Sequence, residues 1–258
     1  MKKIILFSVL ILFLLCPVVL AQEWKEYTRS GHFIVYYDLA PYDLVLKIAK
    51  KAEESFSEII RNLGFNRYKQ WKLGDRIRIY IYNDYESYYN EASAIKWAAG
   101  SALIKDKIIL TFPSAHGFFD STLPHELGHI IFREFIGKET SIPLWLDEGI
   151  AMYQEEAKRW GINKIVRQLL KDGKFIPLEE LSGMTLKNTT QQEELNIFYA
   201  EAASIVNFLI GESGEFRFMQ FCRKLSEGVS FDDALAVIYT RYSNLNNINK
   251  AWTEYLSK

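Results

Sequence analysis

The 258-residue sequence predicts an α+β fold: a small N-terminal lobe containing a sheet, followed by a helical C-terminal lobe. Three observations lead there. Period-two alternation, clearest in RIRIYIY at 76–82, is confined to residues before Pro113. From Asp120 onward apolar residues recur at helical spacing and strand signals stop. No internal repeat or low-complexity linker divides the chain. Strands first and helices afterwards is the α+β order.

The elements follow in sequence. Residues 32–38, HFIVYYD, have strand composition with partial alternation. Residues 41–63 place Leu44, Ile48, Ala52, Phe56, Ile59 and Ile60 near helical spacing, with Gly64 just past the end. Residues 76–82 form a half-buried strand. Asp84 is placed to cap a short helix through Ala92. Two short strands, Ser101–Ile104 and Lys107–Thr111, join at Lys105-Asp106. A helix capped by Asp120 or Ser121 then runs through Ile136 and stops at Gly137. The next extends from Pro143 to Ala157 or beyond, and another covers Gly161–Lys171 before Gly173. A long helix spans Gln192–Ile210 ahead of Gly211, and three shorter ones occupy 215–226, 231–240 and 244–256.

Residues 1–21 read as an export signal. Met1-Lys2-Lys3 is basic, Ile4–Leu20 is apolar, and Val19-Leu20-Ala21 offers a cut after Ala21. The rival is an uncleaved membrane anchor, but the run is only 17 residues and Pro17 interrupts it. Cys16 does not suit lipid attachment, because the bulky Leu15 precedes it. The expected layout is the signal at 1–21, an α/β lobe at 22–113 and a helical lobe at 114–258. Cleavage removes Lys2 and Lys3, leaving 29 Lys+Arg from 31 against 32 Asp+Glu, a net −3. That balance carries no nucleic-acid footprint. Cys222 alone remains, so no intrachain disulfide forms, and its apolar neighbours Phe218, Met219 and Phe221 mark a buried thiol.

The chemistry concentrates in His125-Glu126-Leu127-Gly128-His129. Residues i and i+4 share a helix face, so both imidazoles can grip one metal ion while Glu126 reaches a water beside it. Two core histidines flanking a glutamate, among Leu127, Ile130, Ile131 and Phe132, would bury three ionisable groups at high cost. Catalytic zinc takes three protein ligands and keeps a place for water. Glu148, in the run 145–153 WLDEGIAMY, supplies the third after an eighteen-residue gap, with Asp147 as the alternative. Glu155 lies seven residues after Glu148 on the same face, where it either orients an imidazole or is merely solvated. His32 and His116 have no partner motif and are read as non-ligands.

HELGH, the eighteen-residue gap and WLDEGIAMY together resemble the gluzincin metallopeptidases, the group of thermolysin and the aminopeptidase N-like enzymes. The resemblance covers about residues 95–255 and implies Zn²⁺ held by His125, His129 and Glu148, with Glu126 as general base. It also points to Tyr199: FYAEAASIV at 198–206 resembles the helix carrying a catalytic tyrosine in the aminopeptidase-like branch. In related enzymes an edge strand before the metal helix pairs with extended substrate, which implies that role for Lys107–Thr111. Aminopeptidases of that branch carry a Gly-x-Met-Glu-Asn segment whose glutamate anchors the free amine. The corresponding stretch, Trp97–Ala102, lacks it, and Glu91 sits in another context.

The sequence therefore reads as an exported zinc metallopeptidase acting on peptide or protein substrates, an endopeptidase rather than an aminopeptidase. The rivals are a gluzincin-fold peptide-binding protein without activity and a membrane-anchored processing protease. The intact Glu126 argues against the first. Membrane contact arises only if the N-terminal segment stays uncleaved. Composition does not set the oligomeric state or the natural substrate.

Overall fold

A computed structural model describes residues 24–27, 29–65, 75–91, 100–113, 115–186 and 191–258. The signal segment and Trp97–Ala99 lie outside the described residues. The α+β order holds. Among the described residues five strands fall between Lys25 and Thr111: β1 Lys25–Tyr27, β2 Phe33–Tyr37, β3 Ile77–Ile81, β4 Gly100–Leu103 and β5 Ile108–Thr111. They form one sheet in the order β1-β2-β3-β5-β4, with β2, β3 and β5 parallel and the outer two antiparallel. Strand β1 was not anticipated; three residues are too few to show a period.

Helix α1 (Tyr42–Asn62) is the crossover between the parallel strands β2 and β3. Its apolar stripe, including Val45, Ile48, Ala52, Phe56 and Ile59, shares one core with Phe33, Val35, Ile77, Ile79 and Ile81. Removing such a side chain from water contributes about 1.5–3 kcal/mol. Helix α2 (Tyr85–Glu91) is capped as expected, with Asp84 Oδ1 accepting from the Ser87 backbone N–H and hydroxyl at 2.8 Å each.

One strand differs in role from the expectation. Strand β5 is flanked on both sides, by β3 and β4, so it is not an edge. The edge on that side of the described sheet is β4, because the chain turns back at Ile104–Lys107 and lays β4 outside β5; β1 is the opposite edge.

The helical part begins with a π-helical turn, Phe118–Thr122, that runs directly into α3 (Leu123–Ile136). Thr122 is already helical, so there is no break at which Asp120 or Ser121 caps the helix. Gly137, at φ 99°, ends it as predicted. Helix α4 (Leu144–Tyr153) starts after Pro143 and stops four residues short of Ala157. Gln154 closes its end by donating to the Ile150 carbonyl at 3.1 Å, and Glu155 turns extended. Helix α5 (Glu156–Lys171) therefore begins five residues before the expected Gly161.

The short α6 (Leu178–Gly183) was not foreseen. Helix α7 (Gln192–Ser213) passes through Gly211 and ends at Gly214, the glycine that takes positive φ (80°). Helices α8 (Glu215–Ser226), α9 (Phe231–Ile238) and α10 (Leu245–Leu256) match the expected tail. A single apolar cluster runs from Phe33 in β2 to Leu256 in α10. Cys222 is fully buried within it, as read from the sequence, and burial pushes its thiol well above the ordinary range.

Candidate metal centre

The two motif segments meet through glycine. A Cβ on Gly128, the glycine of HELGH, would stand 2.9 Å from Ala151 Cα and 3.2 Å from Gln154 Cγ. A Cβ on Gly149, the glycine of WLDEG, would stand 2.2 Å from the Ala202 carbonyl oxygen. Helix α4 thus lies in close contact with α3 on one side and α7 on the other, each across a missing side chain. This stack fixes His125, Glu148 and Tyr199 relative to one another.

His125 and His129 turn their Nε2 atoms together at 3.3 Å. Glu148 Oε2 faces both, 3.8 Å from His125 Nε2 and 3.6 Å from His129 Nε2. Among the described residues these three form the group suited to hold a metal ion, their donor atoms all within 4.8 Å of one another. Asp147 is not part of it. Its Oδ1 lies 3.1 Å from His129 Nδ1, on the far side of that ring, and its Oδ2 accepts from Arg133 Nε at 2.8 Å and Nη2 at 2.7 Å. Arg133 Nη1 also donates to the Thr140 carbonyl at 2.8 Å.

The other imidazole is held in the same manner. Glu155 Oε1 lies 3.0 Å from His125 Nδ1, and its Oε2 accepts from the Ser121 hydroxyl. Glu155 is buried rather than solvated. With a carboxylate on each Nδ1, both rings present Nε2 to the common point, the arrangement that orients metal-binding histidines. Neither Ser121 nor Arg133 was read from the sequence as a site residue. Arg133 carried a usable signal, a cation four residues after His129 on an apolar helix. Ser121 carried none.

The electrostatics fit the same division of roles. Burial pushes the Glu126 carboxyl above its ordinary range; Glu148 and Glu155 add to this, while His125 and His129 oppose it. Burial disfavours charge on His129, but its hydrogen bond to Asp147 and the nearby Glu148 carboxylate outweigh this and raise its pKa to about 10. A cation at that point would take the place of the proton. Asp147 is also buried, but its bonds to His129 and Arg133 hold it below the ordinary carboxylate range. Tyr199 is pushed up to about 12 by burial, then by the negative charges of Glu148 and Glu126. Its phenol therefore keeps its proton at neutral pH.

His125, Glu126, Glu155 and Tyr199 line one cavity of about 780 Å³, which Gly100 at the start of β4 also borders. His32 and His116 stand apart from it. His32 pairs with Glu53 at 2.7 Å and stacks on Phe56 at 4.0 Å, and His116 is exposed.

A sheet-bearing N-terminal part followed by a helical part, with an HExxH helix and a facing glutamate at its centre, defines the zincin-like class. The chain belongs to the Peptidase MA superfamily, whose family model matches residues 65–258. No curated protein matches the chain. Among solved structures it is similar to native yeast LTA4 hydrolase, with TM-score 0.51 and 13% identity, over 87% of this chain and 38% of that one. It is likewise similar to yeast LTA4 hydrolase in complex with bestatin, with TM-score 0.51 and 15% identity, over 89% of this chain and 39% of that one. The chain spans less than two fifths of the length of either, and at this identity the likeness concerns the fold.

Proposed function

We propose that this protein is an exported zinc-dependent endopeptidase. The observation that carries the reading is the convergence of His125 Nε2, His129 Nε2 and Glu148 Oε2, with His125 lining the same cavity as Glu126 and Tyr199. Two neutral imidazoles and one carboxylate suit zinc, and the Nδ1 contacts to Glu155 and Asp147 fix the donors in place. Bound there, Zn²⁺ would supply Lewis acidity toward a water and the substrate carbonyl.

The chain's own groups do the rest. Glu126 takes a proton from the water as its oxygen attacks the peptide carbonyl carbon. The C–N bond then breaks, and Glu126 passes that proton to the departing amine. Tyr199 donates its phenolic hydrogen to the tetrahedral oxyanion. Strand β4 is the sheet edge at the cleft, so extended substrate pairs there, through Gly100–Leu103 rather than Lys107–Thr111.

Internal cleavage follows from the missing amine-anchoring glutamate in the Trp97–Ala102 stretch. Export rests on the basic start and apolar run of residues 1–21. Among the described residues no helix is long and apolar enough to cross a membrane, and the segment that would anchor the protein lies outside them. The test is a digest of a peptide library by the zinc-loaded protein, read by mass spectrometry, with a chelator-treated control. Internal cuts that vanish with the chelator support the reading, and cuts that persist after zinc removal contradict it.

A further inference from the structure

Away from the cleft, the start of α1 leaves an apolar patch open to water. Leu39 is 74% exposed, Tyr42 51% and Leu46 41%. Tyr42 and Leu46 stand at i and i+4 on the outer face of α1, and Leu39 lies just ahead of the helix. The rings of Tyr27 and Tyr37 extend the patch, 6.2 and 6.4 Å from that of Tyr42. The backbone beneath it is held in place. The Leu39 N–H donates to Asn83 Oδ1 at 3.0 Å, and Asn83 Nδ2 donates to Asp38 Oδ2 at 3.0 Å. Large apolar side chains grouped on a surface in this way mark a place of contact with another protein or a membrane.

The N-terminal segment joins the domain at the same patch. Strand β1 runs antiparallel to β2 with Lys25 opposite Tyr37, so Trp24 comes in beside Asp38 and Leu39. Lys25 Nζ donates to the Asp38 carbonyl at 2.7 Å, and Trp24 packs edge-on against Tyr80 and Tyr82 at 5.0 and 5.4 Å. The apolar run Ile4–Leu20 ends four residues before Trp24. Four residues of extended chain span at most about 14 Å. Whether read as a signal or as an anchor, that run is delivered to a bilayer, and the patch arrives with it. Charge does not select the partner, because Lys25, Lys47 and Lys50 are matched by Glu26, Asp38 and Asp43. What remains is tyrosine and leucine rimmed by lysine, a composition suited to the membrane–water interface.

We propose that Leu39, Tyr42 and Leu46 form a membrane-docking surface that lays the folded domain on a lipid bilayer. Docking belongs to the domain and not to residues 1–21. Membrane contact therefore persists after a cut at Ala21, against the sequence expectation that it requires an uncleaved segment. The inference is independent of the peptidase reading, since lipid binding is measured without turnover.

The test is sedimentation of the processed chain, from Gln22 onward, with vesicles of phosphatidylcholine alone or mixed with phosphatidylglycerol. The wild type binds both, and binding survives high salt because apolar insertion drives it. Leu39→Glu and Leu46→Glu each weaken binding by about 10-fold, with Tm unchanged because both positions are exposed. Leu39→Ser and Leu46→Ser, which add no charge, weaken it in the same direction. Val237→Glu alters a 58% exposed residue on α9 and leaves binding at the wild-type level. The proposal is overturned by the absence of binding to either vesicle, by its loss in high salt, by wild-type binding in the four patch variants, or by an equal loss in Val237→Glu. A dimer in light scattering that Leu46→Glu dissociates, without vesicle binding, assigns the patch to a second copy of the chain and overturns it as well.

Discussion

Gly149 and Ala202 are the point at which α4 and α7 touch: a Cβ on Gly149 would stand 2.2 Å from the Ala202 carbonyl oxygen. The neighbouring residue on α4 is Glu148, the third proposed ligand, and α7 carries Tyr199. The contact that packs the core also sets the distance between the proposed metal site and Tyr199. Gly149→Ala forces these helices apart and destabilises the fold by about 1–3 kcal/mol, the usual cost of overpacking. Thermal unfolding measures it, with zinc content expected to fall alongside. An unchanged Tm would mean that the two helices are not packed this closely.

Glu155 acts through His125. With its carboxylate on Nδ1, the ring presents Nε2 toward His129 Nε2 and Glu148. Glu155→Gln keeps the shape and weakens this orientation, so zinc affinity drops by roughly 10–100-fold. Competition against a chelator of known affinity measures the drop. Wild-type affinity in the variant would reduce Glu155 to a packing role.

Tyr199→Phe removes one hydroxyl from the cleft. Burial and two nearby carboxylates keep that phenol protonated, so it is a donor over the working pH range. Its loss lowers kcat by about 10²–10³ with little change in KM or zinc content, because the bond belongs to the transition state. A kcat at the wild-type level would make Tyr199 a wall residue only.

Glu201, on the same helix, is fully buried. Its Oε1 accepts from the Ile176 N–H at 3.0 Å, and Oε2 has no hydrogen-bond partner among the described residues. Burial, opposed by that bond and reinforced by Glu180, raises its pKa from 4.5 to about 8. The folded state then keeps a proton that the unfolded state has released. Stability therefore falls as pH rises from 4.5 to 8 and levels off above that. Glu201→Gln removes this slope and gains up to about 5 kcal/mol above pH 8 relative to pH 4.5. Urea unfolding at several pH values reads it directly; parallel pH profiles for the two proteins would rule it out.

The residues of the site that were legible in sequence are those whose relation is local. His125, Glu126 and His129 lie within one helical turn and a residue, and Glu148 is marked by its own run. What the sequence missed depends on distant partners. The break between α4 and α5 exists because Glu155 turns its carboxylate toward Ser121 and His125, 34 and 30 residues away in sequence. The cap expected of Ser121 does not form because Phe118–Thr122 runs unbroken into α3, and the Ser121 hydroxyl donates to Glu155 instead. Gly211 and Gly214 look alike as stops, and only the backbone shows that Gly214 takes the positive φ. The edge role passes from β5 to β4 because strand order is set by the chain's return at Lys107, whose φ of 56° no alternation pattern encodes.

The central claim is that Glu126 moves the proton in peptide hydrolysis at a zinc held by His125, His129 and Glu148. The most direct measurement compares kcat for an N-terminally blocked peptide between the zinc-loaded wild type and zinc-loaded Glu126→Gln. The account predicts one zinc per chain in both and a rate lower by roughly 10²–10⁴ in the variant. Equal rates at equal zinc content would contradict it.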